Sequence, residues 1–222
     1  MPLRATPLVN EEYYHIFNRG VARQPTFFSK RDYSRFLLCL SYYRFNELPF
    51  RLSKFLQIQA RDRYSILKKL EVENNLAVEI IAFCLMPNHF HILLQQKTNG
   101  GISKFVRQIT DSHTRYINTK YDRVGPLFQG AFKVVHVETN EQLLHLSRYI
   151  HLNPLVSFIV KDDDFLSFPW SSLQNYLNGG STNINTLPVL EQFKSSSDYL
   201  SFVLNQTDYA KQLAEIRHLT HE

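Results

Sequence analysis

Two histidines separated by one apolar residue, His89-Phe90-His91, have the type and spacing best suited to chemistry in this sequence. They begin an apolar run that is typical of a β-strand, in which side chains alternate between the two faces of a sheet. His89 and His91 therefore point in one direction, and Phe90 points into the core. Two neighbouring imidazoles on a rigid surface provide half of a metal site. The alternative interpretation is a solvated strand face that carries two polar residues.

A second pair of polar residues, Tyr149 and Asn153, lies near the end of a predicted helix. Asn140 can cap this helix, leucines follow at helical spacing, and Pro154 predicts that the helix ends at about Leu152 or Asn153. Side chains four residues apart share a helix face. A phenol that can act as a nucleophile and an amide oxygen that can bind a metal would then project together. The alternative is a half-buried tyrosine beside an asparagine that only terminates the helix.

Together the two motifs resemble those of the single-tyrosine HUH transposases, in which two histidines flank a hydrophobic residue. Within that family the chain is most similar to the REP-associated tyrosine transposases. Matching segments also occur at residues 14–20 and 125–133, and the resemblance covers roughly residues 12–176. One departure is Ala131, where relatives often carry an arginine, so that one possible phosphate contact is missing.

The resemblance implies a metal-dependent DNA transposase. His89, His91 and Asn153 would hold Mg²⁺, with Mn²⁺ as a substitute, although imidazole ligands alone suit zinc or manganese better. Tyr149 would attack a phosphodiester of single-stranded DNA beside a hairpin, giving a 5′-phosphotyrosine link and a free 3′-OH. Because the covalent link retains the phosphodiester energy, strand transfer needs no nucleotide cofactor. The sequence identifies no general base.

Residues for DNA contact are predicted in the loop after the first strand and in the segment around residues 125–133. Basic side chains there would bind phosphates, and Tyr14 or Phe128 would stack on unpaired bases. Surface arginines and core rings are the alternative interpretation of the same residues. The predicted phosphate and base contacts are Arg19, Arg23, Arg123, Gln129 and Lys133.

Composition agrees with a nucleic-acid partner. The chain has 222 residues, is 44% hydrophobic and carries a formal net charge of +5. The segment 101–137 contains six lysines and arginines against two acidic residues, and such an excess favours a polyanionic partner. Cys39 and Cys84 lie in apolar runs where thiols pack as small hydrophobes. With no signal peptide or membrane-length apolar stretch, the sequence predicts a cytoplasmic monomer or homodimer with no membrane partner.

The order of predicted elements is strand, helix, hairpin, helix, strand, which is the split βαβ or ferredoxin-like pattern of the α+β class. It predicts an antiparallel sheet with helices on one face and the histidines on a central strand. We predict a catalytic domain over residues 1–160, with a helical insertion at about residues 50–75, and a C-terminal extension over residues 161–222. The predicted elements are strands at 13–17, 76–85, 89–95 and 132–137, and helices at 30–45, 52–73 and 101–121, followed by the Tyr149 helix.

Two other functions remain open at this point. One is a non-catalytic nucleic-acid-binding regulator that retains the fold, and the other is a metal-dependent hydrolase that uses water and gives Tyr149 no role. Tyr116 is a second candidate nucleophile, but the residue four positions later is Lys120 and not asparagine. Tyr149 is therefore the preferred nucleophile.

Overall fold

The computed structural model describes residues 7–179 and 183–207, in which four strands form one sheet. The strands are β1 (Tyr13–Arg19), β2 (Val78–Met86), β3 (His89–Gln96) and β4 (Lys133–Val137). All pairings are antiparallel, and the strand order is β2-β3-β1-β4. This is the order of the ferredoxin-like split βαβ pattern, and it confirms the predicted α+β class and antiparallel sheet.

Nine helices accompany the sheet in the described part of the chain. In chain order they are α1 (Lys30–Tyr43), α2 (Leu52–Gln57), α3 (Ala60–Glu73), α4 (Gly101–Lys120), α5 (Asn140–Val156), α6 (Asp162–Phe165), α7 (Leu173–Asn178), α8 (Leu187–Leu190) and α9 (Ser196–Leu204).

The single helix predicted over residues 52–73 is wrong, because the chain is extended at Ile58 and Gln59 and divides into α2 and α3. No glycine or proline marks this break. Leu52 and Phe55 of α2 are buried in the core, whereas α3 buries only Leu70. The two segments pack in different environments, and the break allows each to do so.

The two crossover helices, α1 and α4, pack on one face of the sheet, as the split βαβ pattern predicts. Their buried residues, such as Phe36 and Phe105, share a core cluster with Tyr14, Ile16 and Phe90 of the strands. The strand residues that alternate with these core residues point to the other face of the sheet, which carries His89 and His91. We call these two residues the histidine pair and this side of the sheet the histidine face.

Helix α5 and the C-terminal helices pack against the histidine face, where the predicted pattern placed no helix. Ile150 of α5 shares a core cluster with Leu93 of β3 and with Tyr176 and Tyr199 of α7 and α9. The C-terminal segment therefore completes the core beneath α5. Residues 208–222 of the predicted extension lie outside the described residues.

Helix α5 does not end before Pro154, as the sequence predicted, but continues to Val156. A proline in the last turn removes only one intrahelical donor, and the carbonyl of Pro154 accepts a hydrogen bond from the backbone N–H of Ile159 at 2.9 Å. At the other end, Thr139 and not Asn140 is the N-cap, and its hydroxyl accepts from the backbone N–H of Gln142. Asn153 is therefore fully helical.

The start of α1 is held by a buried carboxylate. Asp32 forms a capping box with Ser29, and its oxygens accept hydrogen bonds from the Lys120 ammonium at 2.6 Å and from two phenols, Tyr116 at 3.0 Å and Tyr121 at 2.9 Å. Burial alone would raise the pKa of this carboxyl, but these hydrogen bonds, together with that from the backbone N–H of Phe28, hold it well below its usual range. Asp32 therefore joins α1 to the end of α4.

We expect Asp32→Asn to lower the free energy of unfolding by about 2–4 kcal/mol, because it breaks a buried ion pair and leaves donors mismatched. Because the folded-state pKa is depressed, the stabilisation is present above the ordinary carboxyl pKa of about 3.9 and is lost as the pH falls towards the folded-state value. Urea unfolding at pH 7 and pH 3 measures both effects. Asp111→Asn, at an exposed position of α4, is the control, and equal losses in the two variants would contradict this role.

Candidate active site

The antiparallel pairing of β1 with β3 builds the floor of the site. In the register of the two strands, Phe17 lies opposite His91 and Arg19 lies opposite His89. All four side chains share the histidine face, because strand residues two apart point the same way. The two central strands of the sheet thus place an aromatic ring and a guanidinium beside the histidine pair.

Tyr149 lies over this floor because α5 packs against it. The Tyr149 ring stands edge-on to the His91 ring, with centroids 5.4 Å apart, and edge-on to the His15 ring at 6.2 Å. The apolar residues of the same helix, such as Leu143 and Ile150, are buried. Tyr149 itself is 46% exposed, so its ring contacts the histidines while remaining open to a substrate.

Asn153 reaches the same place one helical turn later. Its side chain is buried and lies close enough to His89 to influence the pKa of that imidazole, and the Ser157 hydroxyl donates to its Oδ1 at 3.3 Å. The structure thus brings together four residues that the sequence singled out, from two elements about sixty positions apart: His89, His91, Tyr149 and Asn153.

His15 is a member of this site that sequence reasoning missed. Its Nε2 lies 2.9 Å from Nδ1 of His91, and the two rings are stacked with centroids 5.1 Å apart. The sequence predicted His15 to lie in the first strand, but only the register between β1 and β3 shows that it reaches His91. Its position two residues before Phe17 places it on the histidine face.

All three histidines are held in the neutral form. Burial lowers the pKa of His15 and of His89 to about 4, and for His89 the positive charge of Arg19 contributes in the same direction. Burial, together with the neighbouring His89, His15 and Arg19, places the pKa of His91 well below its usual range. Neutral imidazole is the form that binds a metal.

The hydrogen bonds of the histidine pair fit a divalent cation. Nδ1 of His89 is 2.6 Å from Oδ1 of Asn88, which can only accept, and Nδ1 of His91 is bonded to His15. With both Nδ1 atoms engaged, each Nε2 remains for a metal, and such outer hydrogen bonds orient histidine ligands in metal sites. Two imidazole nitrogens and the Asn153 amide oxygen form a suitable donor set. No cluster of three or more His, Cys, Asp or Glu residues with metal-binding geometry occurs among residues 7–179 and 183–207. A third protein ligand beside the histidine pair would be of another residue type, and Asn153 is the candidate.

Comparison with known proteins agrees with this geometry. The family model described as "Transposase IS200 like" matches residues 53–153. This range contains His89, His91, Tyr149 and Asn153. Residues 53–153 are therefore similar to the IS200-like transposases. A search of curated protein sequences found no significant match.

The fold of this chain is also that of a solved transposase. A REP-associated tyrosine transposase bound to a REP hairpin superposes with a TM-score of 0.53 and 16% sequence identity, over 78% of this chain and 82% of the other. At this identity the similarity establishes the fold. No helix in the described part of the chain has the length and apolar character needed to cross a membrane.

Three of the predicted DNA-contact residues lie around the site, and a fourth, Arg23, lies beside the turn between β2 and β3. Arg19, Gln129 and Lys133 are exposed; the backbone N–H of Gln129 donates to the carbonyl of Arg19 at 2.7 Å, and Lys133 lies opposite Phe17. The carbonyl of Arg23 accepts from the Asn88 side chain at 3.1 Å. Arg123 follows α4, and its Nη1 is enclosed without a hydrogen-bond partner; no described contact joins it to the histidine pair.

The rings predicted to stack on DNA bases do not do so. Tyr14 is 1% exposed and Phe128 is 6% exposed, and both belong to the core on the side of α1 and α4. That prediction is wrong, because a ring inside the core cannot reach a base. Tyr116 also lies on that side, where its hydroxyl donates to Asp32, so the rival nucleophile faces away from the histidine pair.

Proposed function

We propose that this chain cleaves and rejoins single-stranded DNA next to hairpins through a covalent 5′-phosphotyrosine intermediate on Tyr149, assisted by a divalent cation. The observation that carries the proposal is the half-exposed Tyr149 ring edge-on to His91, at 5.4 Å between centroids. A tyrosine that only filled the core would be buried. A regulator that only bound DNA would not need a neutral histidine pair, an amide and a tyrosine at one point.

Each of these residues has a role in the proposed reaction. His89, His91 and Asn153 would hold Mg²⁺ or Mn²⁺, and the bound cation supplies Lewis-acid stabilisation of the charge on the scissile phosphate. The Tyr149 oxygen forms a bond to phosphorus while the bond from phosphorus to the 3′ oxygen breaks. The phenol releases its proton to solvent, and the departing 3′ oxygen gains one. Attack by a 3′-OH on the phosphotyrosine reverses these steps and joins a strand.

His15 supports the metal ligand in this scheme. Because Nδ1 of His91 is hydrogen bonded to His15 at 2.9 Å, the His91 ring has a fixed orientation with Nε2 directed away from that bond.

The Tyr149 phenol needs help to lose its proton. A free phenol ionises near pH 10, so nearby positive charge has to assist its deprotonation. The guanidinium of Arg19 lies close enough to the histidine pair to lower both pKa values, and it favours an anion at the same point.

A single-stranded substrate is proposed because the nucleophile needs an accessible phosphodiester. Tyr149 belongs to a packed helix and cannot extend far from the sheet, so the DNA backbone has to bend towards it. The solved structure with the same fold is bound to a REP hairpin. The exposed Arg19 and Lys133 offer phosphate contacts on the histidine face, and the exposed Gln129 lies beside Arg19. We propose that the partner is DNA with a hairpin flanking an unpaired segment.

We expect the protein to bind and cut hairpin-flanked single strands in preference to perfect duplex of the same sequence. Affinity should fall steeply between 50 and 200 mM salt, because phosphate contacts release counterions; with a slope of about −0.7 per contact on single strands, three to five contacts correspond to a loss of roughly 20–130-fold. Fluorescence anisotropy with labelled oligonucleotides taken from the flanks of the gene measures both properties. Better cutting of perfect duplex would indicate an ordinary nuclease.

The experiment that tests the function itself uses the same oligonucleotides with a 3′ label. After incubation with Mg²⁺, a denaturing protein gel should show labelled DNA attached to the protein. Cleavage without a covalent species would favour the water-using hydrolase, and binding without cleavage, with or without a metal, would favour the regulator.

A further inference from the structure

The histidine face continues beyond the histidine pair towards the edge of the sheet. Phe17 and Arg19 follow on β1, and Lys133 and Val135 follow on the edge strand β4, where they lie opposite Phe17 and His15. All four point to the histidine face by strand alternation. They form a strip, which we call the edge strip, that starts at His91 and ends at the open side of β4.

Phe17 is the aromatic member of the edge strip. Its ring stacks on His91, with centroids 5.7 Å apart and planes at 28°, and lies 4.9 Å from His15. Its strand neighbour Ile16 points to the other face and is fully buried, whereas Phe17 is only half-buried. A partly exposed ring beside metal-ligand candidates is a surface on which an unpaired base can stack.

The cations of the edge strip are placed on two sides of this ring. Arg19 is the last residue of β1 and lies opposite His89, and Lys133 lies opposite Phe17 across β1 and β4. Both are exposed, and within residues 7–179 and 183–207 no salt bridge joins either one to an acidic side chain. Their charges are therefore available to phosphates.

Val135 completes the apolar floor of the edge strip. Its apolar side chain is 52% exposed, and it lies on the same face as Phe17. A ring and an aliphatic side chain flanked by two cations match the chemistry of single-stranded DNA, in which apolar bases alternate with phosphates. A duplex would keep its bases inside and could not use this floor.

We propose that Phe17 is the stacking platform for a base next to the scissile phosphate, with Lys133 and Arg19 on the neighbouring phosphates. The single strand would then run from the histidine pair across β1 to the edge of β4. The inference rests on the proposed function and adds the path of the substrate and a residue that fixes which phosphate reaches Tyr149. Phe17 is a positioning residue in this scheme, because it touches the base and not the reacting atoms.

The test uses the full chain carrying Tyr149→Phe, so that the DNA is bound but not cut, and oligonucleotides with 2-aminopurine at successive positions around the mapped cleavage site. Quenching should be strongest at a position adjacent to the cut. In Phe17→Leu this extra quenching should disappear at that position only, and affinity should fall about 5–100-fold, as expected for one lost stacking contact. Phe17→Trp keeps a stacking ring and should keep both properties.

Phe28→Leu is the matched control. Phe28 is another exposed ring, 45% accessible, but it packs on Tyr121 at the end of α4 on the other side of the sheet. The Phe28→Leu substitution should leave the quenching profile unchanged. An unchanged profile in Phe17→Leu, or quenching only at positions remote from the cut, would overturn the stacking role while leaving the proposed function intact. Failure of the wild-type chain to bind or cut single-stranded DNA would overturn both.

Discussion

Replacing Tyr149 with phenylalanine is expected to abolish the covalent protein–DNA adduct and to reduce strand cleavage by at least about 10³-fold, as removal of a nucleophile does in other enzymes. Phenylalanine keeps the ring that stands edge-on to His91, so packing of α5 is preserved. Only the attacking oxygen is lost. Binding of single-stranded DNA should remain within a few-fold of the wild-type affinity, because phosphate contacts supply most of it.

The adduct itself locates the nucleophile. Digestion of the labelled wild-type species should give one peptide that carries the 5′ end of the downstream fragment, linked through Tyr149. Tyr116→Phe is the matched control, because the Tyr116 hydroxyl is directed at Asp32 on the other side of the sheet; it should lose some stability and keep cleavage. An adduct that persists in Tyr149→Phe, or that maps to Tyr116, would contradict the assignment.

Replacing either member of the histidine pair with alanine is expected to reduce cleavage by at least about 10²-fold, because the cation would lose a ligand and with it several kcal/mol of transition-state stabilisation. Hairpin binding should persist, since phosphate contacts do not involve the histidines. Cleavage assays in Mg²⁺ and in Mn²⁺, with calorimetric titration of each metal into the DNA-free protein, measure the two properties separately. Chelation of the metal by EDTA should cause the same loss of cleavage in the wild-type protein, with hairpin binding retained.

His136→Ala is the control for this experiment. His136 is a surface histidine of β4 whose Nε2 lies 3.1 Å from a carboxylate oxygen of Glu12, and its side chain points away from the histidine face. It should bind metal and cut DNA as the wild type does. Normal cleavage by His89→Ala in Mg²⁺ would show that the metal assignment is wrong.

Local periodicity was sufficient to predict which residues act together within one element. The two-residue repeat of a strand places His89 and His91 on one face, and the four-residue spacing of a helix places Tyr149 and Asn153 on one face. The order of strands and helices likewise predicted the split βαβ sheet. These features depend only on backbone geometry, which is the same wherever the element lies in a protein.

The errors in the predicted elements lie at helix boundaries. Pro154 is a helix-breaking residue, but in the last turn of α5 its effect is limited to one missing donor, and the helix continues to Val156. The division between α2 and α3 has the opposite origin: no residue there breaks a helix, and burial of Leu52 and Phe55 separates the two segments. The first boundary depends on how close the proline lies to the helix end, and the second depends on contacts that lie outside the segment.

The sequence by itself determined the chemical groups of the candidate site and their pairing within elements. Only the tertiary structure decided that α5 packs on the histidine face, that His15 reaches His91 from 76 positions earlier in the chain, and that the ring of Phe17 is accessible whereas that of Tyr14 is not. Alternation shows that Tyr14 and Phe17 point to opposite sides, but it does not show which side is covered by helices. That choice depends on which helix faces bury the most apolar surface against the sheet, and it is made only when the whole chain has folded.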